Sequence, residues 1–182
     1  MFRQAVAVGL KRHGDGGVRV DFDTARLSLH LFSSDDASDV LRGIRRPGQV
    51  WARQYPSFFE IDLLRALVHE RRSGIDPGPF TQYQVTLRDG NVVIGGGGFF
   101  GPPDEFRAVE ISFGIAPEYN GHRYGAEIVS GMVHIARDHG ARFIIATATA
   151  ADIGTQKSLE HGGLPEVVRD ETTVYFGLEF GA

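Results

Sequence analysis

The chain has 182 residues, a formal net charge of −4 and no cysteine. That length is most simply one domain with room for a substantial core. Disulfides, thiol nucleophiles and cysteine-bound metals are excluded, and mild acidity gives no global attraction for nucleic acid while favouring a cationic partner. No apolar run approaches the roughly 18–20 residues of a membrane span, so no membrane partner is expected and the cytoplasm is the expected compartment.

Residues 1–17 read as an N-terminal arm or extra strand. Their apolar AVAVGL is shorter than a signal-peptide core, and HGDGG ends them as a flexible connection. Residues 18–182 read as a single domain. Val18, Val20 and Phe22 alternate, Asp23-Thr24 turns, and Leu27, Leu29 and Leu31 alternate again, which predicts two paired strands. Ser33 or Ser34 can cap a helix whose apolar face is Ala37, Val40, Leu41 and Ile44, ended by Arg45-Arg46-Pro47-Gly48. Ser57 and Glu60 form an S-x-x-E capping box that opens a second helix with Ile61, Leu64, Leu67 and Val68 inward. Between the helices, a loop over residues 49–56 carries Trp51 and Tyr55, aromatics that can line a substrate pocket or simply cover the core.

Tyr83, Val85 and Leu87 alternate into Asp89-Gly90, and 92–94 returns, so a hairpin is expected. The glycines at 95–98 are expected to make that strand's end thin and pliable. Residues 96–101 formally match G-x-G-x-x-G. Pro102-Pro103 follows instead of a helix, however, so the dinucleotide-binding context is missing. His69-Glu70 lacks the second histidine of H-E-x-x-H, and no metal is expected.

Residues 117–150 organise the rest. Upstream, Val109, Ile111, Phe113 and Ile115 alternate with Glu110, Ser112 and Gly114, a two-faced strand. A glycine-containing loop then leads into a helix with Gly125, Val129, Met132, Val133 and Ala136 on one face. Gly140 provides a left-handed stop, and the apolar run 143–146 suits a parallel strand covered on both faces. Strand, loop, helix and strand make one right-handed crossover, with unpaired N–H groups at a helix N-terminus suited to phosphate. A short helix over 152–161 and an antiparallel pair, 166–169 with 173–180, close the chain.

From about Arg26 onward the sequence resembles the GNAT superfamily of acyl-CoA-dependent N-acyltransferases, especially the branch that acetylates ribosomal-protein N-termini. The resemblance lies in Glu110, in Pro117, and in a loop similar to Q/R-x-x-G-x-G/A, here Asn120-Gly121-His122-Arg123-Tyr124-Gly125. It continues in a segment similar to N-x-A/G-S-x-R/K-x-L-E-K-x-G-F, here running from Asp152 to Leu164. It implies a mixed α/β fold with a mostly antiparallel central sheet, a splayed parallel strand pair near Glu110 and Phe143, and helices on both faces. It also implies acetyl-CoA as co-substrate, a primary amine of a small molecule or protein N-terminus as acceptor, and Glu110 as general base. Coenzyme contacts are implied at Phe113, Gly114 and Ile115 through the main chain, at Asn120, Gly121, His122, Arg123, Tyr124, Gly125 and Ala126, and at Asp152, Thr155 and Lys157. Trp51 and Tyr55 are the candidate acceptor contacts, and a homodimer is one assembly the N-terminal arm could support.

Five positions depart from the family's usual residues. Asn120 stands for Gln or Arg, Arg123 for the central glycine, Asp152 and Thr155 for Asn and Ser, and Leu159 where many members carry a tyrosine acid. A non-catalytic acyl-CoA-binding or regulatory relative is therefore the alternative. Tyr124, Ser158 and His161 are the other candidates for a general acid, and O-acyl transfer is a third option.

Overall fold

A computed structural model describes residues 7–12 and 18–181, the former and 18–20 as backbone. The expected arm is thus only partly visible: Ala7–Arg12 forms strand β1, while residues 1–6 and the HGDGG connection lie outside the described residues. Strand β2 (Val18–Asp23) pairs antiparallel with β1 and with β3 (Leu27–Leu31).

Helix α1 (Ser34–Leu41) is capped by Ser33, with Asp36 completing a reciprocal box. It stops one turn sooner than expected. Arg42 closes it, Gly43 takes a φ of +75°, and Ile44 is left exposed rather than on the buried face. A two-residue strand, β4 (Val50–Trp51), follows where a plain loop was expected. Helix α2 (Phe58–Arg72) begins at the predicted Ser57–Glu60 box and buries Leu64, Leu67 and Val68.

Strands β5 (Gln82–Leu87) and β6 (Val92–Phe99) form the hairpin. The glycine run does not fray. Gly95 to Gly98 are paired on both sides, with β5 and with β7 (Ala108–Ile115). Glycine is needed there because neighbours occupy the space above it. A Cβ on Gly97 would sit 2.9 Å from Ile128 on one face, and one on Gly98 would sit 2.4 Å from Gln82 Oε1 on the other.

Helix α3 (Tyr124–Asp138) lies on one face of the sheet with Ile128, Val129, Met132 and Ile135 fully buried, each contributing about 1.5–3 kcal/mol. Strand β8 (Phe143–Thr149), helix α4 (Ile153–His161), β9 (Glu166–Arg169) and β10 (Thr173–Glu179) complete the chain. The sheet order is β1-β2-β3-β5-β6-β7-β8-β10-β9, with β4 parallel to β6 at its side. All neighbours on the main path are antiparallel except β7 and β8. The result is the mixed, mostly antiparallel sheet with one splayed parallel pair.

Two cores follow from the two layers. The larger joins α3 and α4 to the sheet, and the smaller joins α1 and α2 to the other face. The second layer does not extend to β8. Ile144, Ala146 and Ala148 are buried under the first layer, but Phe143, Ile145, Thr147 and Thr149 alternate outward, and Ile145 is exposed. The expectation of a strand covered on both faces therefore fails: an apolar run predicts burial, and no second helix lies over this one. Among the described residues no helix is long and apolar enough to cross a membrane.

Candidate active site

The site grows from a change of partner along β7. Its first residues pair with β8 through Ala108–Phe143, Val109–Ile144 and Glu110–Ile145, and there the pairing ends. From Ile111 to Ile115 the strand remains bonded to β6 on its other side only. The edge once shared with β8 therefore opens after Glu110, leaving backbone groups with no strand to satisfy them. Into this gap opens a cleft of about 490 Å³, walled by Phe113, Gly114 and Ile115, by the 119–125 loop, and by Asp152, Gly154, Thr155 and Ser158.

The loop ends at a bare helix terminus. Arg123 is the N-cap of α3 and no side chain caps it, so the first N–H groups of α3 face the cleft without an intrahelical partner. Arg123 occupies the left-handed region at φ +62°, ψ +20°. A glycine holds that geometry without penalty, whereas an L-residue gives up about 1 kcal/mol. That explains why the family pattern has glycine here. The arginine side chain has no hydrogen-bond or ion-pair partner among the described residues, and it lines both this cleft and the groove beside it. Gly125 is fixed by packing, since a Cβ there would fall 2.6 Å from Ser158 Oγ and 3.1 Å from Phe113.

Of the expected coenzyme contacts, Phe113, Gly114, Ile115, Asn120, Gly121, Arg123, Tyr124, Gly125, Asp152 and Thr155 line this one cleft. His122 and Ala126 do not. His122 stacks on Tyr124 with ring centroids 5.6 Å apart, and Ala126 faces the neighbouring groove. Lys157 is exposed and outside the lining. Asp152 caps α4, accepting from Thr155 N at 3.0 Å and from Thr155 Oγ1 at 2.7 Å, and these bonds hold its carboxyl below the usual range. Leu159 is buried in the main core rather than turned to the cleft. Tyr124 and Ser158 line the cleft, and His161 lines the adjacent groove.

On the other side of Gly114 lies a second, narrow cavity with about 20 Å³ of free space, enough for one water-sized group. It is walled by α2, β5, β6 and β7, and it shares Phe113 and Gly114 with the cleft. Tyr55 lines it, its hydroxyl accepting from Gln84 Nε2 at 2.9 Å. Trp51 does not. It packs edge-on against Tyr55, with Arg45 stacked over its ring. Glu110 precedes Ser112 on the β7 face turned toward this cavity but lines neither space, and its carboxylate has no partner among the described residues. Arg107, the nearest arginine in sequence, donates to the Gly140 carbonyl and not to Glu110.

Glu60 was legible from sequence only as half of a capping box. Its Oε2 does accept from Ser57 N at 2.7 Å, but Oε1 is buried in the cavity with no partner among the described residues. Burial pushes the carboxyl above its ordinary range against the two Ser57 hydrogen bonds. No sequence signal pointed to this second role, because what faces Oε1 is a glycine of a distant strand: a Cβ on Gly96 would lie 2.8 Å from it.

Two spaces meeting at one stretch of backbone suit an enzyme that moves a group from a donor to an acceptor, and this chain is an acyltransferase. It belongs to the acetyltransferase (GNAT) domain family, whose model matches residues 26–164. No curated protein matches the sequence. Among solved structures it is similar to the ribosomal-protein-S5-alanine acetyltransferase from Vibrio fischeri, at 13% identity over 88% of this chain and 96% of that one, with a TM-score of 0.58. It is also similar to the microcin C7 self-immunity acetyltransferase MccE in complex with acetyl-CoA and AMP, at 7% identity over 86% and 93%, TM-score 0.59. A third is a spermidine N-acetyltransferase SpeG chimera from Vibrio cholerae and hSSAT, at 13% identity over 85% and 96%, TM-score 0.59. At these identities the likeness is one of fold.

Proposed function

We propose that the protein transfers an acetyl group from acetyl-CoA to a primary amine, of a small molecule or a protein N-terminus, by direct attack. The observation that carries this reading is the cleft opened where β7 parts from β8 after Glu110. The open β7 edge offers main-chain groups at Phe113–Ile115 to the pantetheine arm, one of them an N–H for the oxyanion of the tetrahedral intermediate. The bare terminus of α3, with the Arg123 side chain beside it, suits the pyrophosphate. MccE, whose structure holds acetyl-CoA and AMP, supports the choice of donor, and the cysteine-free composition suits the cytoplasm.

The amine loses one proton to Glu110, directly or through water, and its nitrogen attacks the thioester carbon. The C–N bond forms, the C–S bond breaks, and the thiolate takes the second amine proton, leaving amide and free coenzyme A. Calorimetric titration with acetyl-CoA, followed by a thiol-release assay with primary amines, tests the reading. Tight binding and amine-dependent thiol release are expected, and Glu110→Gln should lower kcat by about 10²–10⁴-fold with the acetyl-CoA affinity unchanged. Binding without transfer to any amine would favour the non-catalytic alternative, and an unaffected Glu110→Gln would remove Glu110 as base.

A further inference from the structure

The Glu60 carboxyl is divided between two duties. Oε2 closes the α2 cap through Ser57, as capping boxes require, and the cap is complete with that oxygen alone. Oε1 adds nothing to the cap and lies buried without a donor. A buried polar atom left unpaired is costly, so a native fold that keeps one calls for an explanation. Here the fold makes room for it. Gly96 has no side chain where Oε1 sits, and the strand partner of Gly96 in register is Gly114. Gly114 borders both the cleft and the cavity, and a Cβ on it would meet nothing within 4 Å. A group bound at Oε1 is therefore about one strand spacing, roughly 4.8 Å, from the β7 backbone that borders the donor cleft.

The remaining walls restrict what that group can be. The free space admits one water-sized group, which fits an unsubstituted nitrogen and rejects an N-alkylated one. The other side chains around it are largely apolar, among them Phe32, Phe59, Leu63, Leu64 and Phe113. At the start of α2, Phe58 is 90% exposed and Phe59 52% exposed, an apolar rim without a partner among the described residues. A carboxylate in such surroundings gains most from a charged donor, because a charge-assisted bond is roughly twice as strong as a neutral one.

We propose that Glu60 is the acceptor-recognition residue: its free Oε1 receives the ammonium of a primary amine whose apolar body packs on Phe59 and Leu63 at the cavity mouth. The inference rests on the transfer reading above and adds the acceptor's class, a hydrophobic primary amine rather than an alcohol, a polyamine or an N-methylated amine. Glu60 binds and orients. The proton leaves later, to Glu110. The arriving ammonium favours the ionised carboxylate, so binding displaces a proton wherever Glu60 was still neutral. The other titratable groups lining the cavity, Tyr55 and Tyr83, are both held above the ordinary phenol range by burial and stay neutral, and Glu110 on the same face of β7 carries the other nearby carboxylate.

The test is calorimetric titration of 2-phenylethylamine into protein saturated with coenzyme A, which cannot react. Binding is expected in the wild type, weakened at least tenfold in Glu60→Gln. Just above the ordinary carboxylate range, where burial keeps part of Glu60 protonated, the wild-type heat should depend on the buffer's ionisation enthalpy, and the variant's should not. The amide oxygen still accepts from Ser57 N, so the cap survives, and an unchanged melting temperature checks it. Phe59→Ala, at an exposed position, should weaken 2-phenylethylamine and leave methylamine unaffected. N-methyl-2-phenylethylamine, spermidine and 2-phenylethanol should bind at least tenfold more weakly than 2-phenylethylamine. Equal amine affinity in Glu60→Gln, or no amine binding to a wild type that does bind coenzyme A, overturns the inference while leaving the donor reading standing. Absence of coenzyme binding overturns both.

Discussion

The two spaces that meet at Gly114 are built of different material. The cleft proposed for the donor is walled mainly by backbone and small polar groups, from stretches that are nearly continuous in sequence, 113–125 and 152–158. The acceptor cavity is walled by side chains from β5, β6, β7, α2 and the segments before α1 and α2. A coenzyme of fixed chemistry can be held by main-chain groups that every residue supplies, so Asn120 and Arg123 can change without removing the cleft. An acceptor can be chosen only by side chains. On the proposed reading, donor use is a property of the backbone geometry, and acceptor choice is a property of a few residues such as Glu60.

That contrast can be broken at the wall the two spaces share. Gly95→Ala places a Cβ 2.1 Å from the Gly114 carbonyl oxygen, which is backbone and cannot step aside. We expect a loss of about 3 kcal/mol in urea denaturation, from the forced separation of β6 and β7, with coenzyme and amine binding falling together. Binding of either ligand at wild-type strength would mean that the wall is not shared. Gly114→Leu separates fold from function at the same place. A Cβ there would meet nothing within 4 Å, so the new side chain can leave the strand without a clash, yet it projects between donor and acceptor and should lower the transfer rate on the order of 10²-fold. A variant as active as the wild type would show that the acceptor reaches the cleft by another route.

The smallest effect sharpens the donor side. Arg123→Gly relieves a left-handed residue and should raise stability by about 1 kcal/mol, seen as a melting temperature higher by roughly 2–4 °C. Paired with Arg123→Ala, it separates charge from conformation. If both variants lose acetyl-CoA affinity equally, the guanidinium is a phosphate ligand. If glycine alone retains affinity, backbone geometry governs the loop.

The residue order by itself determined whatever depends on near neighbours in the chain. The serine cap before α1, the box at Ser57, the α3 stripe of Val129, Met132, Val133 and Ala136, the stop at Gly140 and the closing strand pair are all short-range, because capping and amphipathic periodicity are satisfied within a turn or two. The 120–125 loop was legible for the same reason, its parts lying within a few residues of one another. Tertiary structure alone decided the rest. It set where β7 exchanges β8 for open space, that the glycines of β6 are laddered strand rather than a loose end, and that β8 has one bare face. It also turned Glu60 from a cap into a carboxylate with one free oxygen over Gly96. Each of these is fixed by what a distant segment does or does not place against the residue, and the spacing of nearby residues holds no record of that.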